Sequence, residues 1–315
     1  MITYLIRRLF ISIVVVIGIS IVTFLLLNYA QGPPGRVVLG LRASPAAVNA
    51  WNLAHGFDSP LWVQYWHYII NALRGNFGRS YKLDQSVAAL IGEVAGRSAL
   101  LSGAALFFSL LFAIPLGIFQ GTKRNTVPDY VLTTGAFVTY SMPTFLLGLL
   151  LIEFLALDLG WLPSEASTSQ SFIGVIKDWP SMILPVATLT AVSVAAYSRY
   201  MRSSTLDVLA QDYINIARAK GLSQRLILTR HLLRNACLPI VTLVGLSIPF
   251  LLAGNLVTEV VFNYNGIGYL FDQSLSNYDY PVLIAYTLIG GVLTVAGNFI
   301  ADVSLAVADP RIRLT

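Results

Sequence analysis

Residues 212–236 read DYINIARAKGLSQRLILTRHLLRNA, with Arg218 and Lys220 ahead of Gly221 and Arg225, Arg230 and Arg234 behind it. A cationic stretch of helix formers can hold phosphate, bind nucleic acid, or dock on an acidic protein or lipid surface. Holding a nucleotide needs G-x-x-x-x-G-K-[ST], whose backbone amides wrap the phosphates while the lysine reaches them. No such string occurs, and Lys220-Gly221 has the order reversed, so the chain alone is not expected to hydrolyse ATP. H-E-x-x-H and G-x-S-x-G are also missing, which removes the signals of a zinc protease and a serine hydrolase. His55, His67 and His231 are scattered and Cys237 is the single cysteine. Neither a histidine metal cluster nor an internal disulfide is expected.

Three further groups draw notice because they sit in apolar runs: Glu153, Glu259 and Asp302. Ionisable side chains inside a membrane are costly and commonly functional. All three fall toward the ends of their runs, where long side chains reach water easily. A proton-coupling role and a plain interhelical hydrogen bond both remain open for them.

The elements that must position these residues are membrane helices. Hydrophobic residues make up 56% of the 315-residue chain and charged residues 11%, against about a quarter charged in a soluble domain; mean hydropathy is +0.71. A spanning helix needs about 20 apolar residues. Six runs qualify: roughly 9–28, 98–121, 130–156, 182–200, 237–262 and 282–307. The fourth is the weakest, being short and carrying Pro185. The first follows Arg7 and Arg8 as a signal peptide would, but its length and the poor cleavage site at Tyr29-Ala30-Gln31-Gly32 predict a retained helix. With the N-terminus inside, Arg7, Arg8, Lys123, Arg124, Arg199, Arg202, the cations of 212–236, Arg311 and Arg313 all fall inside. Most of the rest lie in one long outside loop, where the positive-inside rule counts less. The expectation is an all-α integral membrane protein of six transmembrane helices with both termini cytoplasmic.

Two long connections lie on opposite sides. Outside, 29–97 contains SPLWVQYWHYIINALRG, with Trp62, Tyr65, Trp66, Ile69, Ile70 and Leu73 at helical spacing. Such a helix suits either the bilayer interface or a cap packed on the membrane helices. Inside, about 201–236 holds the basic stretch. Asp212–Lys220 predicts a short helix, Gly221 its left-handed stop, and Ser223 the cap of a second helix to about Asn235. On that second helix Leu228 and Leu232 share one face, Arg230 and Arg234 another. Membrane helices on both sides pin this hook near the bilayer, which argues against nucleic acid. A small-residue patch at Ala217, Ala219 and Gly221 lets a partner approach closely; a solvated linker is the plain alternative.

The same stretch resembles the EAA loop of ABC-importer permeases, in which Glu-Ala-Ala is followed, after three intervening residues, by Gly. The matching positions are Asn215, Ile216, Ala217 and Gly221, so the Glu and the first Ala are replaced. The local form ARAKGLS and RHLLRNACLP is similar to the dipeptide/oligopeptide/nickel importer permeases. MITYLIRRLF, FDSPLWVQYWHY, GNFGRS, SMPTFLLGLLL, LGWLPS, ILPVATL, NYDYPV and ADPRIR resemble further family segments in order along nearly the whole chain. The short N-terminus and long first outside loop resemble the first, B-type, permease of such systems. Two segments depart from it: QGPPG stands where the family often has Gly-Asp-Pro, and FNYNGIG places Asn265 where it often has proline.

The resemblance implies one permease domain over 1–315, with an extracytoplasmic loop region at 29–97, a five-helix core at 98–307 and a cytoplasmic coupling loop at 201–236. It implies a non-catalytic pore subunit in the cell membrane, paired with a second homologous permease. Two ATPase subunits would carry ATP and magnesium, and an outside binding protein would deliver the solute. Asn215, Ile216, Ala217, Arg218, Ala219, Lys220, Gly221 and Ser223 would meet an ATPase. Helices three and five would line the path, around Ser141, Met142 and Pro143, with Asn255, Glu259 and Asn298 as polar wall groups or interhelical bonds. The solute would be a di- or oligopeptide; nickel chelates, glutathione and oligosaccharides are the alternatives within the family. An autonomous secondary transporter is the rival class, but neither a coupling-ion site nor inverted repeats are visible.

Overall fold

The computed structural model describes residues 2–31, 34–40, 42–167, 169 and 172–308. Among them the chain is helical, with one isolated β-bridge between Arg79 and Ser86.

The first helix, α1 (Ile2–Gln31), leaves most of its apolar side chains uncovered and packs on the last helix of the chain, where Ile19 faces Gly291. Three shorter helices follow: α2 (Gly35–Leu39), α3 (Pro45–Ala54) and α4 (Leu61–Leu73). Ser44 caps α3, its hydroxyl accepting from the Ala47 amide, and Pro45 opens the helix where a missing N–H does no harm. The helix α4 packs in part on the membrane helices. Its Tyr65 lies on α1, hydrogen-bonded to Ser20 at 2.7 Å and edge-on to Phe24, while Trp62, Trp66 and Leu73 stay exposed.

The helix α5 (Val87–Thr122) begins eleven residues before the expected start at Ser98. Val87, Leu90, Ile91 and Val94 are buried there against Ile267, Val282 and Ala285, and that apolar cluster extends the helix at its N-terminal end. After a turn, α6 (Val127–Ser141) and α7 (Thr144–Leu151, continued by a π-helical stretch Ile152–Asp158) replace the single third helix of the sequence reading. They meet at 105°. The cause is local: Met142 precedes Pro143, which drives it out of the helical region to φ −78, ψ 130.

Beyond α8 (Phe172–Lys177) comes α9 (Ile183–Leu209), the expected fourth helix made longer at its C-terminal end. Pro185 sits in its first turn, where no intrahelical bond is lost. A stripe at every fourth position of α5, namely Ala105, Ser109, Ala113, Gly117 and Gly121, is buried in the α5–α9 seam. A Cβ on Gly117 would lie 2.5 Å from that of Met201, so the backbones approach as only small residues permit.

The hook comprises α10 (Asp212–Ala219), α11 (Gln224–Leu226), a π-helical turn Ile227–Leu232 and α12 (Leu233–Ala236). The expected fifth helix is again two: α13 (Leu238–Ala253) stops at Gly254, and α14 (Leu256–Val261) follows. The chain closes with α15 (Ile267–Ser276) and α16 (Tyr280–Ala308). Four single helices, at Ile6–Leu26, Val87–Thr122, Trp179–Leu209 and Tyr280–Ile300, are long and apolar enough to cross a membrane. Two bent pairs, Val127–Ser141 with Thr144–Asp158 and Gln224–Ala236 with Leu238–Ser247, bring the number to six if each pair is one span.

Candidate functional site

The hook is anchored from beneath. On α10, Ile214 and Ala217 are three residues apart and buried against Met201, Val208, Ile227 and Leu232. The opposite face leaves Asn215, Ile216, Arg218, Ala219 and Lys220 exposed, the apolar Ile216 to 56%. Gly221 takes φ +76 and its amide donates to the Arg218 carbonyl at 2.9 Å. The Ser223 hydroxyl accepts from the Leu226 amide, which starts the second arm. Asn235 reaches back to the Tyr213 hydroxyl at 2.7 Å and ties the two arms together. Leu232 is buried and Leu228 half-buried, while Arg230 and Arg234 are exposed on the other face. One expectation needs correcting. Ala217, read as part of an open small-residue patch, is 5% exposed and packs under its own helix. The Ile214–Ala217 spacing was the available signal for that inward face.

Beside the hook, the turn between α5 and α6 is clamped to α9. Arg202 donates Nε to Asp129 Oδ1 and Nη2 to Asp129 Oδ2, both at 2.8 Å. The Asn125 amide and the Thr133 hydroxyl also donate to that carboxylate, and Gln120 Nε2 donates to Thr133. Sequence reading counted Arg202 only as an inside charge and missed Asp129.

Glu259, expected on helix five as a wall group or an interhelical bond, lies on α14 with its side chain enclosed. Its Oε1 accepts from the Ser98 hydroxyl at 2.8 Å and the Asn255 amide at 3.0 Å, and its Oε2 from the Tyr269 amide at 3.1 Å. Tyr269 is in the first turn of α15, so the carboxylate caps that helix and meets its positive end. Nearby, Tyr264 donates its hydroxyl to the Arg97 carbonyl, and Arg97 Nη1 donates to the Asn265 carbonyl at 3.3 Å. That contact uses the backbone of residue 265, so the change of side chain from proline leaves it intact.

At the end away from the hook, Asp279 just before α16 accepts from the Ser80 hydroxyl and, at 3.0 Å, from the Tyr81 amide. The Tyr81 ring meets Trp51 and Tyr280 edge-on. Burial, aided by the Asp279 charge, pushes the Tyr81 phenol well above its ordinary value.

Between α5, α9 and α13 lies a cavity of about 160 Å³. Its polar lining is Ser102, Ser193, Tyr197, Ser247 and Asn255; Ala105, Leu106, Leu189 and Leu251 form the apolar wall. Asn255 Nδ2 donates to Ser102 Oγ at 2.7 Å, and Tyr197 and Ser247 share a hydrogen bond of 2.7 Å. Of the path residues expected from sequence, only Asn255 lines this space. Ser141 and Pro143 are exposed at the α6–α7 elbow, and Asn298 is half-buried on α16. The walls of this space come from the expected helices two, four and five. Among the described residues no group of three His, Cys, Asp or Glu is arranged to hold a metal.

Comparison with known proteins places this architecture. Residues 113–314 match the family described as binding-protein-dependent transport system inner membrane component, and residues 1–96 match its N-terminal counterpart. The oligopeptide transport system permease protein AppB of Bacillus subtilis (strain 168) is 37% identical over 314 residues, covering 99% of each chain. The glutathione transport system permease protein GsiC of Escherichia coli (strain K12) is 37% identical over 316 residues, again covering 99% of each. Among solved structures, an inward-facing form of the MetNI methionine ABC transporter shares the fold at a TM-score of 0.56 and 16% identity. That likeness covers 70% of this chain and 96% of the other.

Proposed function

This chain belongs to the binding-protein-dependent transport system inner membrane components, and on that premise we propose that it is one of two pore-forming permeases of an ATP-driven importer for di- or oligopeptides. The names of its oligopeptide and glutathione relatives support the solute class. In this reading the chain crosses the membrane six times, each bent pair counting once, with both termini and the hook in the cytoplasm. The second permease, an external binding protein and two ATPase subunits complete the machine, and ATP and magnesium are handled by the ATPases.

The observation that carries the coupling role is the two-faced α10. Its inner face is fixed on the chain's own core through Ile214 and Ala217, while Asn215, Ile216 and Ala219 stand clear beside Arg218 and Lys220. An exposed isoleucine amid polar neighbours is what a docking knob looks like, and a rigid base lets a push on it move α9. Gly221 and Ser223 set the angle of the hook rather than touch the ATPase, and Ala217 supports the knob from below. The alternation of the membrane helices then follows as a switch between discrete packings. At the outer interface α4 rests its Trp62 and Trp66 among lipid headgroups, where aromatic rings are favoured.

The test is reconstituted import with partner subunits in liposomes. Uptake should require ATP, survive collapse of the proton gradient, and fail in Ile216→Asp although the variant still inserts. Uptake driven by the proton gradient without ATP would sink the proposal.

A further inference from the structure

We propose that the face of α5 turned away from α9, between Leu111 and Phe119, seats one acyl chain of an anionic phospholipid whose phosphate is held by Lys123 and Arg124. The inference needs only a membrane-embedded chain, so it stands apart from the importer reading.

The groove comes first. Leu111, Phe112, Pro115, Leu116 and Phe119 line a shallow, almost wholly apolar groove of about 480 Å³. Residues 111, 115 and 119 follow one another at i, i+4, as do 112 and 116, which puts all five on one side of the helix. Pro115 has the smallest side chain of the row and lies one turn from both Leu111 and Phe119, so the face dips there. The volume is about sixteen times the ~30 Å³ share of a water. A methylene is of similar size, so one long acyl chain fills the groove.

A protein helix is a poor occupant. Helices approach closely in membranes through small residues. On α5 these are Ala105, Ser109, Ala113, Gly117 and Gly121, and α9 already covers them. Pro115 stands about 160° around the helix from Gly117 at 3.6 residues per turn. Its neighbours Leu111, Phe112 and Phe119 are bulky and exposed.

The charge lies at one end. Lys123 is four residues beyond Phe119 and its amide donates to the Phe119 carbonyl at 2.9 Å, which keeps it in register with the groove. Lys123 and Arg124 are both exposed, and neither side chain has a hydrogen bond or ion pair among the described residues. Between Glu93 and Glu153 the one acidic residue is Asp129, and Arg202 already holds its carboxylate. Lysine brings three N–H donors and arginine a fork that matches a phosphate. A choline headgroup would bring its own cation against these two; a headgroup of net negative charge does not. Leu111 lies about 18 Å along the axis from Lys123, close to the ~15 Å hydrocarbon depth of one leaflet. The same turn is bonded to α9 through Asn125, Asp129 and Arg202, so the lipid braces the helix that leads into the hook.

The test uses the full chain, purified with the subunits that accompany it, in nanodiscs of phosphatidylglycerol and phosphatidylcholine in equal parts. Each lipid in turn carries a diazirine on its acyl chain, and adducts are mapped after irradiation. Labelling of Leu111, Phe112, Leu116 or Phe119 by the phosphatidylglycerol probe should exceed that by the phosphatidylcholine probe about fivefold for each cation, from the ~1 kcal/mol that each contributes near a membrane surface. Lys123→Gln should remove one such factor, and Lys123→Gln with Arg124→Gln both. Arg230→Gln with Arg234→Gln removes two exposed cations of the hook and should leave the preference unchanged; a general attraction to basic surface would fall in both double variants. Leu116→Trp should fill the groove and suppress labelling there. Equal labelling by the two probes in wild type, or a preference that survives loss of Lys123 and Arg124, overturns the headgroup assignment. Adducts only elsewhere overturn the site, and so does benzoylphenylalanine in place of Phe112 capturing another subunit instead of lipid.

Discussion

Arg202 grips Asp129 with two parallel hydrogen bonds of 2.8 Å, the fork of the guanidinium matched to the fork of the carboxylate. The Asp129 side chain is 2% exposed and that of Arg202 26%. The pair joins α9, which leads into the hook, to the first turn of α6. Motion of one cannot leave the other behind without breaking it.

Removing one partner of such a pair strands a poorly solvated charge. Asp129→Ala is expected to lower stability by about 3 kcal/mol, read as loss of thermal stability in detergent. Arg202→Lys keeps the charge but loses the fork and should fall between wild type and Asp129→Ala. Equal stability of all three would show that the pair contributes nothing.

Gly221 at φ +76 sets an order among substitutions. A side chain there costs about 1–2 kcal/mol in the left-handed region, and asparagine tolerates it best. Import rates should therefore run wild type, Gly221→Asn, Gly221→Ala, Gly221→Val, with amide exchange in 212–236 rising in the same order. A β-branched residue as active as asparagine would mean that the hook angle is irrelevant.

Glu259→Gln is often regarded as conservative, but here both carboxylate oxygens accept from donors. An NH₂ group in place of one oxygen faces an N–H or O–H head-on. The expected cost is about 1–3 kcal/mol, and Glu259→Ala should be worse, since it also empties the space. Protease resistance of the 254–276 region measures both.

Tyr81 gives the segment around 76–86 an alkaline limit. Its folded phenol holds the proton more tightly than the unfolded one. That contribution is full below the ordinary tyrosine value of about 10, shrinks as the pH rises past it, and is gone above the raised value. Amide exchange in 76–86 should climb above that pH in wild type and much less in Tyr81→Phe. Parallel curves for the two would remove Tyr81 as the cause.

What the sequence could show followed from how local each signal is. The hook was legible because Gly221 and Ser223 act on neighbours two or three residues away. The bend at Met142-Pro143 was within reach, yet an apolar run conceals a break when only its length is counted. Asp129–Arg202, Ser98–Glu259 and Ser80–Asp279 join residues 73, 161 and 199 apart in the chain. No periodicity links such pairs; only the fold brings them together. The cavity was invisible for the same reason, since three separate helices make its walls and only Asn255 stood out as polar in an apolar run.

The length of α5 has a mechanical consequence. Its 36 residues make a rod of about 54 Å, against a hydrocarbon layer of about 30 Å. The rod carries Val87 in the N-terminal cluster at one end and Gln120 beside the clamp at the other. With its fulcrum near Ala105, a tilt of five degrees would swing each tip by about 2 Å in opposite directions, taking the arm as half the helix length. Tilting as one piece, with Pro115 inside it as the one place it could bend, the helix would turn a small nudge at the hook end into a displacement the size of a hydrogen bond at the other.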